Sequence, residues 1–166
     1  MDFTMTAADV NAIGNYLAIS PRLATAGQPT AEQFAAVSQA GYQVVVNLAL
    51  STSDSALPHE AELVKSLGMT HFHIPVVWEA PTLMDLEIFF KVMERNSSHS
   101  VFVHCAKNMR VSAFVYLYRV LHQRVNPSVA QADLHRIWQP NPIWQTFIDR
   151  ALAETGQSRP SVQPTD

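Results

Sequence analysis

The sequence predicts a layered α/β fold built on a mainly parallel sheet. Three observations carry that reading. Helical and strand patterns alternate along the chain. The strand candidates are short and rich in β-branched residues, as strands covered on both faces are. With 48 % apolar and 15 % charged residues, the 166-residue chain has enough apolar content for one substantial core and too much for a disordered chain.

The elements follow in order. Thr6 to Tyr16 has Val10, Ile13, Tyr16 and Leu17 at spacings of three and four, which predicts a helix. Leu23 to Ala26 reads as a short edge strand, closed by the turn Gly27-Gln28-Pro29. Thr30 is an N-cap for a helix through Ala40, with Gln33 completing a capping box and Gly41 ending it. Tyr42 to Leu48 (YQVVVNL) is a strand buried on both faces. A helix from about Pro58 to Leu67 stops at Gly68, and Thr70 to Val76 is the next strand. Thr82 caps a helix to about Arg95, and Ser100 to His104 (SVFVH) is a short buried strand. Arg110 to Leu121, Pro127 to Trp138 and Pro142 to Ala153 are the last three helices. Residues 1–155 are expected to form one domain. The segment 156–166, rich in Ser, Pro and Thr, is expected to be a disordered tail.

Charge and signals narrow the function. A net charge of −3 offers no global attraction for nucleic acid or an acidic membrane, so neither is an expected partner. No run approaches the roughly 18 to 20 apolar residues of a membrane span. The N-terminus does not read as a signal peptide. A single cysteine forms no internal disulfide, and a cytoplasmic location is expected.

The chemistry concentrates where the last strand meets the next helix. In parallel α/β sheets ligands bind beyond the carboxyl ends of the strands. There the sequence reads SVFVH, CAKNM, then RVSAFVYLYRVL. Backbone N–H groups of Ala106, Lys107, Asn108, Met109 and Arg110 are placed to form an anion nest at a helix N-terminus. Cys105 sits in that positive field, which favours the nucleophilic thiolate. Arg110 adds a planar fork suited to a tetrahedral oxyanion. His104 is a supporting residue that holds neighbouring backbone. The expected ligand is a phosphorylated substrate or a small oxyanion, phosphate or sulfate, with no cofactor and no metal.

HCAKNMRVS resembles the signature of cysteine-dependent protein tyrosine and dual-specificity phosphatases: His-Cys, five residues, Arg, then Ser or Thr. The context ISPRLATAGQPTAEQFAAVSQAGYQVVVNLA, followed by HIPV, is most similar to the bacterial beta-lactamase-hydrolase-like phosphatase group. The resemblance covers about residues 18–122. It implies a phosphotyrosine protein phosphatase-like fold, with a four- to five-stranded, mostly parallel sheet flanked by helices on both faces. It also implies hydrolysis of phosphate monoesters through a cysteinyl-phosphate on Cys105. In that scheme Ser112 hydrogen-bonds the departing thiolate. The general acid comes from the segment IPVVWEAPTLMD, where Glu79 is the best match, Asp85 the alternative, and Asp54 on another loop a third.

Two departures stand out. Four residues, not five, separate Cys105 from Arg110, while Ser112 keeps the family spacing. A one-residue shift turns a helical side chain by about 100°. The mid-loop glycine is replaced by Asn108, which tolerates positive φ. The shorter loop resembles that of rhodanese-type sulfurtransferases. A sulfurtransferase or persulfide-handling domain, and an inactive anion-binding module, are therefore the alternative readings. His71 and His73 alternate on a strand as a metal pair would, but read as core or edge histidines. Trp138 and Trp144 read as a hydrophobic clamp, and Gln28 as part of the pocket rim.

Overall fold

The computed structural model describes residues 9–154, so the tail expected at 156–166 lies outside the described residues. Five strands form one sheet in the order β1-β2-β5-β3-β4. They are β1 (Leu17–Ser20), β2 (Leu23–Ala26), β3 (Val44–Asn47), β4 (Thr70–His73) and β5 (Val101–His104). β2, β5, β3 and β4 run parallel, and β1 closes one edge antiparallel to β2. The helices are α1 (Ala31–Gln39), α2 (Glu60–Ser66), α3 (Leu83–Arg95), α4 (Met109–Leu121), α5 (Pro127–Ile137) and α6 (Pro142–Glu154). None of these helices is long and apolar enough to cross a membrane.

Alternation along each strand divides the core into two layers. Val44, Val46, Val101 and Val103 face one layer, which is filled from α3, α4, α5 and α6 by residues such as Phe89, Phe114, Leu134 and Trp144. Val45, Phe102, Ala24 and Ala26 face the other, with Phe34 and Val37 of α1 and Val64 of α2. Helices therefore cover both faces, which is why β2, β3 and β5 are buried at every position.

The N-terminal helix is a correction. Among the described residues, Val10–Ala12 form only a short 3-10 turn, and the chain then enters β1. Asn15 takes φ 54°, which breaks any helix there. The apolar spacing is used instead by buried Ile13, by Tyr16 stacked on Phe102, and by Leu17 in the strand. Because β1 takes the edge, β2 lies inside the sheet with all four residues buried, contrary to the edge position expected for it.

Other boundaries moved for local reasons. α2 starts at Glu60 rather than Pro58 because His59 adopts a left-handed conformation, φ 61°. β4 stops at His73, short of Val76, since Pro75 has no N–H to continue the ladder. Ile74 and Val76 still donate to the carbonyls of Asn47 and Leu48 at 2.9 and 3.0 Å. The expected capping box of Thr30 with Gln33 is present, and the expected cap Thr82 forms a second box with Asp85.

Candidate active site

The segment between β5 and α4 is a loop whose carbonyls are held outward. The Gln28 amide donates to the Ala106 carbonyl at 3.0 Å, and Asn15 Nδ2 to the Lys107 carbonyl at 2.9 Å. His104 Nδ1 lies 3.2 Å from the Cys105 carbonyl oxygen. In a trans peptide the N–H points opposite to the carbonyl. These anchors therefore turn the N–H groups of Ala106, Lys107 and Asn108 toward the other side of the loop, as an anion nest requires.

Asn108 closes the loop. It is fully buried, takes φ 68°, and its Nδ2 donates to the Asn15 carbonyl at 2.8 Å and to Thr25 Oγ1 at 3.0 Å. The turn thus survives the missing glycine. Gly27 supplies the close approach from the neighbouring strand end: a Cβ there would lie 2.7 Å from the Ala106 carbonyl oxygen. Cys105 opens the loop and is 1 % exposed. Lys107 is exposed, while Ala106 and Met109 are partly covered.

Arg110, in the first turn of α4, reaches across to the segment after β4. Its Nη1 donates to the Val76 carbonyl at 3.0 Å, and its guanidinium carbon lies 5.8 Å from the Trp78 ring centroid. Its Nε is buried and meets no acceptor among the described residues. Trp78 in turn packs against Trp138 and Trp144, with ring centroids 5.4 and 5.8 Å away. Trp144 Nε1 donates to the Trp78 carbonyl at 2.8 Å. The expected tryptophan clamp therefore fastens the segment that carries Glu79 as well as the last two helices.

The remaining candidates are more scattered. Ser112 Oγ donates to the Met109 carbonyl at 2.8 Å and accepts from Trp138 Nε1 at 3.0 Å, so its proton is directed at the helix backbone. Glu79 is exposed and lines a cavity of about 410 Å³ with Pro81, Pro142, Phe147 and Arg150. Asp85 is committed to its helix cap, bonded to the Thr82 amide at 3.3 Å. Asp54 is exposed on the loop after β3.

One buried acid was missed. Glu60, 6 % exposed, accepts from His104 Nε2 at 2.7 Å, His71 Nε2 at 2.9 Å and Gln28 Nε2 at 3.0 Å. Burial alone would push its carboxyl up. Donation by His104 and His71, attraction to His104 and donation by Gln28 outweigh that and hold it well below the usual carboxylate range. In sequence Glu60 is an acid near a helix start, where acids are common for the dipole alone. The available signal was a pair of histidines near strand ends, His71 on β4 and His104 on β5, which β3 separates in the sheet. His73 turns elsewhere, to the Ala49 carbonyl at 2.6 Å.

The chain is similar in sequence and fold to known proteins. A DUF442 protein from Shewanella putrefaciens CN-32, known as a crystal structure, is 34 % identical, with a TM-score of 0.79 over 88 % of this chain and 96 % of that one. Tk-PTP in its active form shares the fold at 18 % identity, with a TM-score of 0.69 over 86 % of this chain and 96 % of that one. The beta-lactamase hydrolase-like protein of Xylella fastidiosa (strain Temecula1) is 27 % identical over 120 residues, 70 % of this chain. This chain spans only 28 % of that curated relative's length. Residues 15–146, from the loop anchor Asn15 to the first turns of α6, match the family described as DSP-PTPase phosphatase fused to NAD+ kinase, and the chain belongs to that phosphatase family.

Proposed function

We propose that the chain is a cysteine-dependent phosphatase that hydrolyses phosphate monoesters of the phosphotyrosine type through Cys105. The observation that carries this reading is the pairing of a loop whose carbonyls are tied outward with a buried Arg110 whose Nε meets no acceptor. A buried N–H without a partner is costly, and a tetrahedral oxyanion against the loop would supply one.

The Cys105 thiolate attacks phosphorus in line, forming the S–P bond as the bond to the ester oxygen breaks. The N–H groups of residues 106–110 and the Arg110 fork stabilise the equatorial oxygens. Glu79 gives its proton to the departing oxygen. Its neighbour Trp78 lies against the Arg110 guanidinium, which ties the acid's segment to the loop. Water then cleaves the S–P bond, giving inorganic phosphate and the free thiolate, while the Glu79 carboxylate takes the water's proton. We assign Ser112 to the thiolate-leaving step, which requires its hydroxyl to turn from Met109. The single cysteine calls for no oxidising compartment, and we place the reaction in the cytoplasm.

The four-residue spacing from Cys105 to Arg110 favours a second reading, sulfur transfer through a Cys105 persulfide. One assay separates the two. Hydrolysis of para-nitrophenyl phosphate from about pH 5 to 8, blocked by vanadate and abolished in Cys105→Ser, is the expected result. Inactivity of the folded wild type, with uptake of one sulfur atom from thiosulfate onto Cys105 and release of sulfite, would replace it with the second reading.

A further inference from the structure

Glu60 is a buried acid for which the proposed reaction has no use. It ties its own helix α2 to three other segments: His104 at the end of β5, His71 on β4, and Gln28 on the turn after β2. A carboxylate only accepts, so both imidazoles present an N–H at Nε2. The other nitrogen of His104, Nδ1, lies 3.2 Å from the Cys105 carbonyl oxygen, which also only accepts. A neutral imidazole has one N–H, and two acceptors on opposite sides of the ring require two. The ring is enclosed by Phe34 and Phe102, whose centroids lie 5.7 and 6.3 Å away, so its charge is little screened.

We infer that Glu60 is a positioning residue that keeps His104 doubly protonated. It thereby sets a fixed positive charge under the Cys105 loop and holds the Cys105 carbonyl out of the nest. The inference rests on Cys105 being the nucleophile and assigns what governs its ionisation. The groups facing Glu60 are His104 from β5, His71 from β4 and Gln28 from the turn after β2. On its own segment, His59 and Glu62 line with it a cavity of about 470 Å³ that also reaches His73.

Cys105 is the only cysteine, so its alkylation by iodoacetamide, followed by intact mass across about pH 5 to 9, reads this thiolate alone. In Glu60→Gln the midpoint is expected to move up by about one pH unit, so that the rate near pH 6 falls about tenfold. The limiting rate at high pH should be unchanged. His104→Gln should give the same shift, and the double variant no more than either. A folded Glu60→Gln with the wild-type midpoint overturns the inference, as do additive shifts. If that variant does not fold, nitrogen-15 NMR of the wild-type His104 ring decides. Protons on both ring nitrogens at pH 7 are expected, and a single neutral tautomer overturns it. Alkylation needs no phosphate turnover. A wild type inactive on aryl phosphate therefore fails the proposed function while leaving this readout intact, and an active enzyme with no shift fails this inference alone.

Discussion

Gly27 carries no side chain because the loop leaves no room for one, and Asn108 takes a left-handed turn that its Nδ2 pins to Asn15 and Thr25. Both side-chain choices act by shaping the nest, and in the proposed scheme Asn108 meets the phosphoryl oxygens only through its backbone N–H. Glu79 is a different kind of candidate, since its value depends on proton transfer to the leaving oxygen. That gives it a specific signature. For para-nitrophenyl phosphate the leaving oxygen is stable as an anion and needs little help, whereas for an alkyl phosphate it needs a proton. Glu79→Gln is therefore expected to lower kcat on an alkyl phosphate by about 10² or more, and on para-nitrophenyl phosphate far less. Equal losses on both substrates would remove Glu79 from the role of acid. Asp85→Asn, altering only a helix cap, should leave the ratio between substrates unchanged.

At the scale of elements, what the sequence made legible follows from local rules. The Thr30 capping box, the Thr82 cap, the buried β3 and β5 and the strand-loop-helix at Cys105 are all encoded within a few residues, and each stands where its residues put it. β1 was not legible because Val10, Ile13, Tyr16 and Leu17 fit a helical period while serving a turn and a strand. Glu60 was not legible because its partners come from three distant segments. The segment after β4 is a similar case. Its fixing by Arg110 from α4 and Trp144 from α6 is long-range, yet it decides where Glu79 can stand. Trp144→Phe keeps most of the packing and removes the donor to the Trp78 carbonyl. Equilibrium unfolding in guanidinium should show a loss of about 1–3 kcal/mol with an unchanged m-value. A loss below about 0.5 kcal/mol would mean the bond does not fasten this segment.

Across the whole molecule the charge is weakly negative, so capture of an anion is local: the nest, Arg110 and His104 lie together at the carboxyl end of β5. The same end of the sheet holds the Glu60 cluster, so the acid that serves the loop also ties α2 to β4, β5 and the turn after β2. This makes global stability depend on the protonation of one carboxyl. Its folded value lies below its ordinary value of 4.5, so the unfolded chain takes up the proton first as pH falls. The stabilisation is fully present above about pH 4.5 to 5 and is lost progressively as pH falls toward the folded value. Glu60→Gln should therefore be less stable than wild type at pH 7, by about 2 kcal/mol or roughly 4–8 °C in Tm. The difference should shrink steadily as pH is lowered from 5 to 3, because the wild type loses on acidification what the variant has already lost. Thermal unfolding of both proteins at half-unit steps from pH 3 to 7 reads this directly. Parallel curves would show that Glu60 is not ionised in the folded protein, and would withdraw the fixed charge it is assigned to hold beside Cys105.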